Sequence, residues 1–138
     1  MNTTKIFEVL EQETGWIPDV DVQGRRSVHL EGCTLEYFSP DGALLVLSAA
    51  LGTETLVDLA HCENYARLNA ALIKDSPTAV VIDKNAFYLQ SVYDSQDLEI
   101  RDVSEIFEQF LNDYEYVSSV NATIQQQANV ADNLRILL

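Results

Sequence analysis

The stretch 38–52 reads FSPDGALLVLSAALG, and its second half sets the hardest condition on the fold. A Pro40-Asp41-Gly42 turn is followed by nine residues, 43–51, in which Ser48 carries the single side-chain hydroxyl. A strand with one solvated face keeps polar residues at alternate positions. Here Leu44 and Val46 point one way while Leu45 and Leu47 point the other. Both faces therefore need cover, from the chain itself or from a partner.

The flanking segments supply candidate cover. Residues 4–14 read as a short amphipathic helix with Ile6, Phe7 and Leu10 at helical spacing and Gly15 placed to end it. Trp16-Ile17-Pro18 then leaves extended, because the residue before a proline disfavours the helical region. Residues 27–31 and 33–38 alternate, Val28 with Leu30 and Cys33 with Leu35 and Tyr37, so three strands form an antiparallel meander with 43–50. Residues 56–74 read as a long helix, with Thr55 and Asp58 resembling a capping box. Its apolar side chains spread beyond one stripe, which predicts contacts on two sides. Residues 78–82 and 86–93 form a second hairpin about Asp83-Lys84-Asn85, and 102–124 form the last main helix. Asp102 and Glu105 suit the start of that helix. The fold class is α+β: helix, three strands, helix, two strands, helix, with a twisted antiparallel sheet covered by helices. One domain spans 1–124, and 125–138 is a tail that extends the helix or is flexible.

Charge narrows the function. The 138 residues carry 22 acidic against 8 basic side chains, a net charge of −14. Such a field repels nucleic acid and anionic membranes and attracts basic partners. The start, MNTTKIFEVLEQE, lacks the apolar stretch of a signal peptide, and no run approaches a membrane span. Cys33 and Cys62 lack metal-site or disulfide-framework spacing and read as packing residues of a reducing, cytoplasmic compartment.

No phosphate-binding loop, nucleophile elbow or metalloprotease motif is present. His61-Cys62-Glu63 offers three ligand types, but consecutive helical positions diverge by about a third of a turn and do not converge on one metal. Asp19, Asp21, Asp94, Asp97 and Glu99 read as solvated loop charges, and Arg25-Arg26 as a loop pair meeting carboxylates. The sequence points to no enzyme, no cofactor and no metal. Surplus apolar surface remains.

The order of elements and several strings carry a family likeness. CTLEYFSPDG, then ALLVLSAALG running into a long helix that ends in LNAAL before Pro77, then AVVIDKNAFYLQSVYD leading into IFEQFLNDYEYV, together resemble the class I secretion chaperones of bacterial type III systems, which include the Tir chaperone. The likeness covers 4–120. It implies a bacterial cytoplasmic homodimer that binds without hydrolysing ATP. It holds the N-terminal segment of one or more effectors extended and soluble for export, and allows contact with the export ATPase. Mapped here, the dimer interface takes Tyr65, Leu68, Ala71, Leu72, Val80, Val81 and Ile82. The effector-binding set takes Ile6, Phe7, Leu10, Trp16, Val28, Leu30, Leu35, Leu45 and Leu47. One face of the 43–50 strand then lies under the helices and the other contributes to the effector groove. The alternative is a dimeric α+β adaptor or regulatory module that binds a protein partner outside secretion. A small ligand-binding domain and a nucleic-acid mimic are weaker readings.

Overall fold

A computed structural model of the chain describes residues 1–51, 59–72 and 76–137, with side chains for 1–51, 61–72 and 76–120. The elements run α1 (Thr3–Thr14), β1 (Asp19–Val20), β2 (Arg26–Leu30), β3 (Cys33–Phe38), β4 (Leu44–Ala50), α2 (Leu59–Leu72), β5 (Thr78–Asp83), β6 (Ala86–Asp94) and α3 (Ile100–Leu137), with a 3-10 turn at Ser95–Asp97. Thr55, Asp58 and the ends of the expected 56–74 helix lie outside the described residues.

Local chemistry accounts for the boundaries. Asn2 caps α1, its Oδ1 accepting from Lys5 N at 2.8 Å, and Gly15 ends it at φ 75°, its N–H donating to Glu11 O. The Pro40-Asp41-Gly42 turn is held by Asp41 Oδ1, which accepts from Ala43 N and Leu44 N at 2.9 and 2.8 Å. These two bonds lower the Asp41 pKa by stabilising the carboxylate. The β5–β6 hairpin closes on Lys84 and Asn85, both at positive φ (50° and 60°), the geometry of a two-residue hairpin turn.

The six strands form one antiparallel sheet in the order β1-β2-β3-β4-β6-β5. The two-residue β1 was absent from the sequence reading. It follows Pro18, carries no alternating pattern, and exists because Asp19 and Val20 pair with Ser27 and Arg26.

Register decides which face of each strand is covered. Val28, Leu35, Ala49 and Leu89 align across the sheet, as do Tyr37, Leu47 and Ser91. All three helices meet this one face. Phe7 of α1 and Phe107 of α3 each lie 5.4 Å from the Tyr37 ring, and Tyr65 of α2 lies 4.5 Å from Phe87. Leu45, Leu47 and Ala49 are thus interior. The opposite face carries the in-register row Phe38, Val46, Val92 with Leu44 beside it. Val46 is nonetheless buried, and the Arg25 guanidinium lies 4.2 Å from the centre of the Phe38 ring.

A buried polar cluster ties α3 to the second hairpin. Ser76 Oγ lies 2.7 Å from both Thr78 Oγ1 and Asp113 Oδ2, Thr78 Oγ1 lies 2.8 Å from Ser91 Oγ, and Gln109 Nε2 donates to Asp113 Oδ1 at 3.0 Å. Asp113, itself buried, is thereby solvated by side-chain donors.

Candidate functional site

On the helical face a groove runs along α3. At one end the last turn of α1 and Trp16 stand beside α3, enclosing about 270 Å³ with Leu10, Thr14, Ser104, Phe107, Glu108, Leu111 and Asn112. At the other end the β2–β3 turn faces α3 across about 500 Å³ lined by Leu30, Glu31, Gly32, Cys33, Leu111, Tyr114, Glu115 and Ser118. Leu111 lines both cavities and stands where they adjoin. Ser104, Glu108, Leu111, Glu115 and Ser118 recur at helical spacing along one stripe of α3, so the groove follows the helix for about 21 Å at 1.5 Å per residue.

Trp16 is fixed by several contacts. Its N–H donates to Thr14 Oγ1 at 3.2 Å, and Thr14 Oγ1 donates to Leu10 O at 2.8 Å. Its ring meets Phe107 edge-on at 6.4 Å. The far wall rests on Gly32, at φ 89°, which lets the chain reverse between Leu30 and Cys33. Tyr114 is held by donation from its hydroxyl to Ala50 O at 2.8 Å. Burial raises the pKa of both Cys33 and Tyr114, which keeps them neutral and suits an apolar lining.

Below the groove, Glu11 joins three elements. Tyr37 Oη donates to Glu11 Oε1 at 3.0 Å, Arg26 Nε lies 3.1 Å from the same oxygen, and the Arg26 guanidinium stacks 4.6 Å from the centre of the Phe7 ring. Ser104 Oγ donates to Glu13 Oε2, joining the last turn of α1 to α3.

The expected effector-binding residues divide sharply. Trp16 and Leu30 are half-buried and line the groove. Ile6, Phe7, Leu10, Val28, Leu35, Leu45 and Leu47 are core residues of this chain. They pack where α1 and α3 meet the sheet, and of these seven Leu10 also reaches the cavity lining. Leu45 and Leu47 lie under helices, and Leu44 and Val46 lie on the far side of the sheet. Sequence reasoning missed Leu111, Tyr114 and Cys33 as groove residues. Leu111 and Tyr114 stand three positions apart within the expected 102–124 helix, but the gap between that helix and the β2–β3 turn has no signal in the sequence.

The expected dimer residues also divide. Ala71 and Ile82 are exposed and Val81 is half-buried, whereas Tyr65, Leu68 and Leu72 of α2 and Val80 of β5 are buried in this chain's own core. Arg25 and Arg26 meet Glu36 and Glu11, and Cys33 and Cys62 are free thiols. Among the described residues no group of three or more His, Cys, Asp or Glu is placed to hold a metal, and no helix is long and apolar enough to cross a membrane.

Comparison with solved structures fixes what this architecture is. The chain aligns with a chain of the HopA1–SchA chaperone–effector complex over 81% of its own length and 89% of that chain, at TM-score 0.65 and 8% identity. It aligns with a chain of the ExsC–ExsE complex over 85% and 93%, at TM-score 0.66 and 15% identity. A third match is the structure of the Yersinia pestis type III secretion chaperone SycH with a stable fragment of YscM2, over 81% and 96%, at TM-score 0.59 and 15% identity. The fold is that of the type III secretion chaperones. No family profile matches the sequence, and no curated protein does. The shared feature is the arrangement of helices and sheet, at an identity where individual side chains have diverged.

Proposed function

We propose that this protein is a type III secretion chaperone that binds the N-terminal chaperone-binding segment of an effector, keeps it extended and soluble, and supports its export. The observation that carries this reading is the apolar groove along α3, open to solvent and centred on Leu111, on a chaperone fold. All three similar structures are complexes, SchA with an effector, ExsC with ExsE and SycH with a fragment of YscM2, which supports a binding role for this architecture.

The sheet offers a second element of recognition. β1 covers only Arg26 and Ser27, so among the described residues no strand flanks β2 beyond that point. An extended segment added there would gain main-chain hydrogen bonds and lie beside Leu30 at the groove wall. The working unit in this reading is a homodimer in the bacterial cytoplasm. Its two-fold contact uses the outer side of α2 at Ala66, Ala70 and Ala71, together with Val81 and Ile82. Small side chains on that side permit close approach of a second helix.

The test is purification of the tagged protein from its own organism, identification of what accompanies it, and measurement of the complex mass by light scattering. The expected result is one secreted protein held through its N-terminal region by two copies of this chain. A monomer without a protein partner would overturn the reading.

A further inference from the structure

The groove is apolar along its floor and carries charge of one sign at its rim. Glu108 and Glu115 sit two helical turns apart on the same stripe of α3, and Glu31 faces them from the β2–β3 turn. All three are exposed, and none forms an ion pair among the described residues. Among the described residues no lysine or arginine lines either cavity. This is not simply the average charge of the chain. The depression on the opposite sheet face is balanced, with Arg25 and Lys84 against Glu36 and Asp83.

A chain lying along the groove to bury Leu30, Leu111 and Tyr114 must pass between these carboxylates and strip water from them. An apolar or acidic chain would leave them desolvated and unpaired. A chain with cationic side chains beside its apolar anchors would pair them, and steering would speed its arrival.

We propose that the segment bound in the α3 groove is cationic as well as apolar: Lys or Arg side chains flank its apolar anchors and pair with Glu108, Glu115 and Glu31. This rests on the chaperone reading and specifies the chemistry of the client segment.

The single tryptophan, Trp16, stands in the groove and reports its occupancy by fluorescence. A displayed library of random linear peptides is panned against the folded wild-type protein and against the double variant Glu108→Lys/Glu115→Lys. Both substitutions are on exposed positions, and circular dichroism confirms the fold before panning. The expected wild-type binders combine apolar residues with Lys or Arg, shift Trp16 emission, and weaken as salt rises. Against the double variant these peptides lose about tenfold or more in affinity, and the selected sequences shift towards Asp and Glu. Wild-type binders without basic residues, binding indifferent to salt and to the double variant, or a library that yields no peptide affecting Trp16 would each overturn the proposal. The chaperone reading fails separately. If a secreted protein co-purifies but its binding is unchanged by the double variant, the cationic groove is refuted and the chaperone reading stands.

Discussion

The carboxamide of Asn69 holds the main chain of Val80 at both ends: Nδ2 donates to Val80 O at 3.0 Å, and Val80 N donates to Oδ1 at 2.6 Å. The hairpin register explains why these groups are available. The two-residue turn makes Asp83 and Ala86 a hydrogen-bonded pair, and bonding alternates along the ladder, so Val80 directs its N–H and C=O away from β6. Among the described residues β5 is the last strand of the sheet, and an uncapped edge invites pairing with another chain. A side chain of α2 thus takes the place of a seventh strand.

Asn69→Ala removes both bonds and leaves two main-chain groups without partners. We expect a loss of about 1–3 kcal/mol in urea unfolding. We also expect concentration-dependent association beyond the wild-type state in size-exclusion chromatography with light scattering. Unchanged stability and mass would show that this edge needs no cap.

Tyr65 presents the opposite situation. Its hydroxyl is buried and has no hydrogen-bond partner among the described residues, while its ring packs on Phe87. Tyr65→Phe keeps the ring and removes the group, so the isolated protein should gain about 1 kcal/mol in denaturant unfolding. A loss instead would show that the hydroxyl is bonded in solution, and a concentration dependence of that loss would assign the bond to a second copy.

The readable parts of the fold are those in which local chemistry and tertiary contact agree. Residues 33–38 alternate and form β3, Gly15 ends α1, and Asp41 with Gly42 turns the chain before β4. The facing of β4 was not readable, because Leu44 and Val46 are as apolar as Leu45 and Leu47. Only the pairing of Leu47 with Tyr37 places the second pair beneath the helices. Asn69 gives no signal on its own helix, and its role exists only once β5 lies beside α2. The groove was legible in Trp16, Leu30 and Leu10, but not its course, which depends on the meeting of α3 with α1 and with the β2–β3 turn.

Four tyrosines give the protein an alkaline limit. Burial raises the pKa of Tyr37, Tyr65, Tyr93 and Tyr114, and for Tyr37 the bond to Glu11 adds to it. In the unfolded chain these phenols lose protons near pH 10, while in the fold they retain them to higher pH. Above about pH 10 the unfolded state therefore binds fewer protons, and stability falls as pH rises; below it the contribution is whole. Urea midpoints should be flat with pH through the neutral range and drop beyond pH 10, together with the rise of tyrosinate absorbance. Tyr37→Phe should make that fall shallower.

Core and groove make separable predictions for the binding site. Leu45 is fully buried beneath the helices, so Leu45→Asp places a carboxylate in the core with no partner. Its expected effect is loss of the folded state, seen as a collapsed unfolding transition or insoluble protein. Leu111 is only half-buried, at the junction of the two cavities, and Trp16 stands at one end. Trp16→Ala and Leu111→Ser should leave the circular dichroism spectrum close to wild type and cost about 1–3 kcal/mol each in client affinity, from lost apolar contact. Calorimetry with the co-purified client reads the affinity, and thermal unfolding of the free protein reads the fold. If Leu111→Ser binds the client as tightly as wild type, the groove along α3 is not the client site, and the uncovered sheet face around Phe38 and Val92 becomes the surface to test.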